Sequence, residues 1–222
     1  MIPQILYQIS YAICHQLPDR SFSVYNQFLP FCARCIGIYL GMFIAFSFYF
    51  LFKILKNKKP IKPPSLWINV LSIFFIILMV IQAITVNFTN YSFENELRFI
   101  TGILFGISLP WYLLITINYS KKFVYQNKKI LNYKEYLLLF LITLVSTILF
   151  LLKIPSILYI SAYLSTIGLL IFIFLINLSL LILVADIAKK LRKISLVYLI
   201  IFSVILSLLE IFSLNLLHSV IL

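Results

Sequence analysis

Residues 156–184 read SILYISAYLSTIGLLIFIFLINLSLLILV, and this stretch contains no charged side chain. About 20 consecutive apolar residues are enough for an α-helix to cross the hydrocarbon core of a bilayer. Because this stretch is longer, we expect a helix that tilts or extends into the cytoplasm. Five further apolar runs have the same character. The six predicted spans are Cys35–Phe52, Leu66–Val86, Leu97–Tyr119, Tyr136–Leu152, Ser156–Val184 and Ile194–Leu217.

The composition of the whole chain agrees with these spans. Of the 222 residues, 63% are hydrophobic and 11% are charged, and the mean hydropathy is +1.09. A soluble domain carries about 25% charged residues, so this chain is too apolar for a water-exposed surface. We therefore predict an all-α fold, a polytopic bundle of about six transmembrane helices, in a single integral membrane domain over residues 1–222.

The segment before the first span has a different character. Within residues 2–17, Gln4, Gln8 and Gln16 interrupt a run of apolar side chains. Such a segment is too polar to span a bilayer, and we expect an interfacial helix that lies on the outer leaflet. The predicted organisation is an extracytoplasmic segment over residues 1–34 and a six-helix bundle over residues 35–222.

The net charge of +12 comes mainly from three basic connectors. These connectors are the second, fourth and sixth of the seven stretches outside the predicted spans. Because cytoplasmic loops of membrane proteins are enriched in Lys and Arg, we predict a multi-pass protein of the cell membrane with both termini extracytoplasmic. Basic juxtamembrane loops bind anionic lipid head groups, so we expect lipid and no nucleic acid as partner. The basic residues concerned are Lys53, Lys56, Lys58, Lys59 and Lys62, then Lys121, Lys122, Lys128, Lys129 and Lys134, and finally Lys189, Lys190, Arg192 and Lys193.

All three cysteines lie within the first 35 residues, and one of the two histidines is next to the first of them. Cys14, His15, Cys32 and Cys35 form the pattern C-H-x16-C-x2-C. Tetrahedral zinc is commonly held by three thiolates and one imidazole, and the C-x2-C spacing lets two thiolates reach one ion. We predict a metal site of these four residues, with zinc favoured. Iron and copper accept the same donors.

The Cys32/Cys35 pair has a second interpretation. Pro30 precedes a predicted helix start, and a helix N-terminus beside Arg34 favours the thiolate form of cysteine. A C-x-x-C pair in an extracytoplasmic setting is also typical of a thiol–disulfide oxidoreductase. The plainest alternative is that the cysteines are small apolar fillers without a role.

Three motifs around these residues resemble an uncharacterised family of small prokaryotic integral membrane proteins. CHQLPDRSF (residues 14–22) resembles the family's CHQxPxRSF element, and LPFCARCIGIYLG (residues 29–41) resembles its CARCxGIYxG element. NELRFITGILFG (residues 95–106) is similar to a third element that follows later in the family. Members usually carry an Asp-Gly pair where this chain has Gln82-Ala83. The resemblance implies a multi-spanning fold with a Cys/His site, and it implies no reaction.

Four of the five glycines form two G-x-x-x-G pairs, one in the first span and one in the third. Small residues at this spacing let helices approach closely in lipid. If Gly37 and Gly41 pack against Gly102 and Gly106, the cysteines come near Asn95, Arg98 and Thr101. If each pair packs on some other helix, no joint site forms.

Three arginines, Arg20, Arg34 and Arg98, are predicted on the outward side. Guanidinium groups suit bidentate binding of phosphate or carboxylate, so these residues, with Asn95, are candidates for binding an anionic lipid or another anionic substrate. The alternatives are that the arginines snorkel to the lipid head groups or pair with nearby acids.

Three polar side chains, Gln82, Asn177 and Glu210, lie inside predicted spans. Ionisable groups inside a membrane are candidates for function, and a small-solute or ion transporter would use Glu210 and Gln82. A hydrogen bond between Asn177 and Glu210 would instead make both residues structural. The sequence contains none of the common nucleotide-binding or hydrolase motifs, so it predicts neither a reaction nor an enzyme class, and it predicts no oligomeric state.

Overall fold

The computed structural model describes residues 3–54, 60–88, 93–119, 126–187 and 195–221. Within these ranges six helices are long and apolar enough to cross a membrane, and they confirm the predicted polytopic α-helical bundle. Their bounds agree with the predicted spans to within a few residues. The six spans are Ala33–Phe52, Leu66–Val86, Asn95–Asn118, Tyr133–Leu151, Pro155–Ile187 and Leu196–His218.

Eight α-helices and four short strands are described. The helices are α1 (Gln4–Tyr11), α2 (Ala33–Tyr49), α3 (Leu66–Phe88), α4 (Asn95–Ser108), α5 (Pro110–Tyr119), α6 (Tyr133–Leu151), α7 (Pro155–Ile187) and α8 (Leu196–Ile221). The strands are β1 (Ser23–Val24) and β2 (Gln27–Phe28), which form an antiparallel hairpin, and β3 (Pro60–Lys62) and β4 (Gln126–Lys129), which pair in parallel. A 3-10 turn covers Pro18–Arg20, and a π-helical turn over Phe50–Ile54 continues α2.

Helix α2 is the centre of the bundle, because α4 packs on one side of it and α7 on another. The glycines make these approaches possible. A Cβ atom on Gly41 would lie 2.5 Å from the carbonyl oxygen of Ile103, and one on Gly102 would lie 2.5 Å from that of Arg34. A Cβ on Gly168 of α7 would meet the carbonyl oxygen of Tyr39. The two G-x-x-x-G pairs therefore pack α2 and α4 side by side and in parallel.

The third predicted span is divided into α4 and α5 at Pro110, where we expected a kink. Proline has no N–H to continue the helical ladder, and Leu109 separates the two helices. The indole N–H of Trp111 donates to the carbonyl oxygen of Ile107 at 2.7 Å. This side-chain bond satisfies a backbone acceptor at the break, as is usual for proline within a membrane helix.

The described segments next to the helices lie at the two ends of the bundle. At one end, the Asn95 side chain donates to the backbone oxygen of Asp19 at 3.4 Å, and His218 contacts Tyr11. At the other end, the N–H of Ile130 donates to the carbonyl oxygen of Lys62 at 2.9 Å. Helix α1 and the C-terminal part of α8 therefore lie at one end, and β3 and β4 lie at the other. Most of the basic residues from which the topology was predicted lie outside the residues that the structure describes.

Helices α3, α6 and α8 carry long apolar faces that nothing in the described chain covers. Exposed side chains include Trp67, Phe74, Leu141, Val145 and Phe212. In water such a surface would be strongly unfavourable, whereas a bilayer solvates it. The outward-directed apolar faces are those of a membrane protein.

The N-terminal helix is shorter than predicted. Helix α1 covers Gln4–Tyr11, where we expected helical structure over residues 2–17, and the chain then leaves the helix before Cys14. It packs against α7 and α8 and is too short to span a bilayer. Its position on the outer leaflet and the organisation of the chain as a single domain stay predictions.

Candidate metal centre and arginine cluster

Three sulfur atoms meet at one end of the bundle. The Sγ atoms of Cys14, Cys32 and Cys35 all lie within 4.8 Å of one another. Cys14 is 2% exposed, and none of the three cysteines forms a disulfide. Cys32 is the residue before α2, and Cys35 lies in the first turn of that helix. Donors that are separated by 18 residues in sequence thus come together in the fold.

Two local features of the backbone bring the chain back to this point. Gln16 has a positive φ of 50°, and its amide donates to the carbonyl oxygen of Tyr7 at 2.8 Å, which ties the segment after α1 to that helix. The β1–β2 hairpin then reverses the chain at Tyr25 and Asn26, which both have positive φ. A two-residue hairpin turn needs that conformation. The return of the chain places Cys32 against Cys14.

The three sulfurs form a polarised group. The backbone N–H of Cys32 donates to the sulfur of Cys14 at 3.2 Å. The thiols of Cys14 and Cys35 both donate hydrogen bonds to the sulfur of Cys32. These bonds lower the pKa of Cys32 far below its usual value, and the bond from Cys14 has the larger effect. The hydrogen bond from the Cys14 thiol to the Cys32 sulfur also raises the pKa of Cys14 to about 11. In the metal-free protein at neutral pH, Cys32 is therefore the thiolate and Cys14 a thiol.

The structure does not bring His15 to this group. His15 is exposed, and its imidazole meets the ring of His218 edge-on, with 4.9 Å between the ring centroids. The ring of His218 in turn stacks on Tyr11 at 4.3 Å. Cys14 and His15 are adjacent in an irregular segment, and their side chains point in different directions. Among the described residues, the cluster of metal-binding side chains is made of three cysteines without an imidazole.

Tyr39 is a neighbour of the cluster that the sequence reasoning did not include. It lies one helical turn after Cys35, is buried, and is within electrostatic range of all three sulfurs. Its ring packs against Phe31, with 5.6 Å between the centroids. The signal was present in the sequence, because residues four apart share one face of a helix.

The three predicted arginines lie next to one another beside the cysteines. Arg98 is within electrostatic range of Arg20, Arg34 and Cys32. It is only 5% exposed, so it does not snorkel to the surface. A nitrogen of Arg34 lies 3.5 Å from the Gln82 oxygen, and a nitrogen of Arg98 lies 3.5 Å from the Asn95 oxygen. We call Arg20, Arg34 and Arg98 the arginine cluster.

Gln82 lies at the same end of the bundle as the arginine cluster. Its oxygen accepts a hydrogen bond from Thr101 at 2.8 Å, and the residue is 3% exposed. Glu210 lies elsewhere, on α8, and accepts a hydrogen bond from the Asn177 amide at 3.0 Å. Gln82 and Glu210 thus have separate partners, and a transport role for either stays a prediction.

Comparison with known proteins places these residues in a family. Residues 14–112 match the family described as "Predicted membrane protein (DUF2085)". An uncharacterised protein of Methanothermobacter thermautotrophicus is 36% identical over 97 residues, which are 44% of this chain and 80% of that protein. The chain belongs to this family. The matched region contains the three cysteines, the arginine cluster and Gln82, and it ends within α5.

A second relative has the same character. The uncharacterised protein MJ1492 of Methanocaldococcus jannaschii is 35% identical over 109 residues, which are 49% of this chain and 66% of that protein. The chain thus spans a little under two thirds of that relative's length. No solved structure matches the chain. The DUF2085 region therefore carries both clusters, while α6, α7 and α8 lie beyond it.

Proposed function

We propose that this DUF2085 protein binds one metal ion, with zinc favoured, through Cys14, Cys32 and Cys35. The observation that supports the proposal is the mutual approach of the three sulfurs to within 4.8 Å. Zinc–sulfur bonds of about 2.3 Å in a tetrahedral site put sulfur atoms about 3.8 Å apart. Small side-chain shifts would therefore seat an ion between the three cysteines.

The surroundings of the sulfurs favour metal binding. A backbone N–H that donates to a ligand sulfur, as Cys32 does to Cys14 at 3.2 Å, offsets negative charge and orients the ligand. Cys32 already provides one thiolate, which is the form that binds metal. Iron and copper also accept thiolates, so elemental analysis has to identify the metal.

The fourth position decides what kind of site this is. The sequence predicts a Cys3His site completed by His15, but in the fold that imidazole lies against His218. A three-thiolate site leaves the fourth position open to water or a small ligand, which is the usual arrangement of catalytic zinc, whereas closed four-ligand sites are structural. We favour the open site.

Elemental analysis of detergent-solubilised protein tests the proposal. Protein from zinc-supplemented cells should hold close to one metal ion per chain, and Cys14→Ser, Cys32→Ser and Cys35→Ser should each lose it. The matched variant His15→Ala should retain the metal if the site is open, and should lose it if His15 is the fourth ligand. Metal-free wild-type protein, purified under reducing conditions, would refute metal binding.

A membrane thiol–disulfide oxidoreductase is the second candidate, and the low pKa of Cys32 favours it. Such a protein would form a disulfide from the Cys32 thiolate and the Cys35 thiol, with two electrons and the Cys35 proton passing to an acceptor of the quinone class, which takes its second proton from water. Differential thiol labelling in intact cells distinguishes the candidates. A redox pair is found partly oxidised, whereas a metal site is found reduced and protected until a chelator is added.

We further propose that the two clusters face the outside of the cell. The support is the lysine enrichment of the alternate connectors, together with the location of Lys62 and Lys129 at the end opposite the cysteines. Labelling with a membrane-impermeant maleimide tests this in a background where the three native cysteines are replaced by serine. Tyr25→Cys, at the hairpin tip where the side chain is 82% exposed, should react in intact cells, and Lys134→Cys should react only after lysis.

A further inference from the structure

The arginine cluster has hydrogen-bond donors that the described protein does not use. The Nε atoms of Arg20, Arg34 and Arg98 are each buried and have no hydrogen-bond partner. The amide nitrogen of Gln82 beside them is in the same state. A buried donor without an acceptor is destabilising, so four of them in one place indicate a ligand that supplies acceptors.

The bonds that the cluster does make are weak. Those from Arg34 to Gln82 and from Arg98 to Asn95 are 3.5 Å long, at the upper limit for such a bond. The Nε of Arg20 lies 3.6 Å from a carboxylate oxygen of Asp19. These contacts leave most of the guanidinium donors available.

Acidic side chains do not neutralise the cluster. All six acidic residues lie in the described ranges, and within these ranges neither Arg34 nor Arg98 forms a salt bridge with any of them. Glu96, the nearest candidate on α4, is paired with Lys153 at 2.6 Å. Asp19 is the acidic side chain close to the three arginines. The cluster therefore keeps a net positive charge.

Two helix starts add to this positive potential. Helix α2 begins at Ala33 and α4 begins at Asn95, and their parallel packing puts both N-termini at the end that holds the arginines. The N-terminus of a helix carries a partial positive charge and favours anions. Arg34 and Arg98 both lie in the first turns of these helices, so side chains and backbone favour the same type of ligand.

We propose that Arg20, Arg34 and Arg98, with Gln82, bind a phosphate group. Phosphate offers several oxygens at tetrahedral angles and accepts bidentate bonds from more than one guanidinium. The half-exposed Arg20 side chain leaves the site open to the aqueous side. The group belongs to a phospholipid head group or to a free phosphate compound. The site is separate from the cysteines and does not require the metal.

Binding measurements on detergent-solubilised full-length protein test this inference. In one arm, inorganic phosphate is titrated calorimetrically. In the other arm, phosphatidylglycerol is added to protein in a zwitterionic detergent and retained lipid is counted by native mass spectrometry. Saturable binding near one equivalent in either arm is expected, and the arm that shows it identifies the source of the phosphate.

Variants distinguish a specific binding site from general electrostatic attraction. Arg98→Gln and Arg20→Gln should each weaken binding at least tenfold, because each removes charged hydrogen bonds. Arg20→Gln keeps the inference testable if the buried Arg98 variant does not fold. Lys134→Gln, which removes one exposed charge at the opposite end, should leave binding unchanged. No saturable binding in either arm, or an equal loss in Lys134→Gln, would overturn the inference.

The same experiment in Cys32→Ser protein keeps the two proposals apart. Phosphate binding that persists without metal supports a separate site. Phosphate binding that disappears with the metal would contradict this independence.

Discussion

The backbone N–H of Cys32 donates a hydrogen bond to the sulfur of Cys14, 3.2 Å away. This bond joins the irregular segment after α1 to the start of α2. It also stabilises negative charge on Cys14, so that a metal ion which displaces the thiol proton finds an oriented ligand.

The reactivity of Cys32 should be nearly independent of pH. Hydrogen bonds from the Cys14 and Cys35 thiols lower the pKa of Cys32 below the neutral range, so its thiolate fraction stays constant between about pH 6 and 8. An ordinary thiol, with a pKa of about 8.5, gains tenfold in rate per pH unit over that range. Peptide mapping of metal-free protein after brief iodoacetamide treatment measures this rate. Cys14→Ala, which removes the first donor, should restore pH dependence. A tenfold rise per unit in the wild type would contradict the assignment.

Metal affinity should rise with pH. The pKa of Cys14 in the metal-free protein is about 11, so this thiol is protonated at all physiological pH values and must lose its proton when metal binds. Cys35 is also a thiol that donates to Cys32 in the metal-free protein, so metal binding displaces two protons. The apparent affinity therefore falls about a hundredfold for each unit that pH falls in the neutral range. Competition with a chromophoric chelator at pH 6.5 and 7.5 gives the slope. A slope of about tenfold per unit would show that only one of the two thiols binds the metal, and a pH-independent affinity would show that neither does.

Some of this arrangement followed from the sequence because it depends on local patterns. Hydrophobic run length fixed the six spans, and the spacing of Gly37 and Gly41 predicted the packing of α2 against a partner with the same spacing. The expected approach of Cys32 to Arg98 followed from that packing, and the electrostatic interaction between the two residues agrees with it.

Other features depended on backbone geometry that residue types do not encode. The segment around Gln16, where φ is 50°, turns His15 away from the thiols. The spacing of residues in a motif does not show in which direction their side chains point. The partners of Gln82 depended on which helix lies beside α4. Hydropathy identifies a span but does not say which spans are neighbours.

The close approach of α2 and α4 can be tested at a glycine away from both clusters. Gly41→Ala would place a Cβ 2.5 Å from the carbonyl oxygen of Ile103, and the helices would have to separate. Overpacking of this kind costs about 1–3 kcal/mol in the free energy of unfolding. Thermal unfolding in detergent measures the effect. The control Ser108→Ala removes a hydroxyl that bonds within its own helix and should change stability by less than about 1 kcal/mol. Equal stability of wild type and Gly41→Ala would contradict the described packing.

The Asn177–Glu210 pair should behave as a structural link between α7 and α8. Asn177 is 5% exposed and donates to Glu210 and to Ser207, both at 3.0 Å. Interhelical hydrogen bonds in membranes contribute about 0.6–2 kcal/mol, so Asn177→Leu, which leaves both acceptors without a donor, should destabilise the protein by about 1–2 kcal/mol. Glu210→Gln keeps an oxygen that accepts the bond and should stay within about 0.5 kcal/mol of wild type. Unfolding of the two variants in the same detergent gives the comparison. A larger loss in Glu210→Gln than in Asn177→Leu would show that the carboxyl group itself, and not the hydrogen bond, matters at this position.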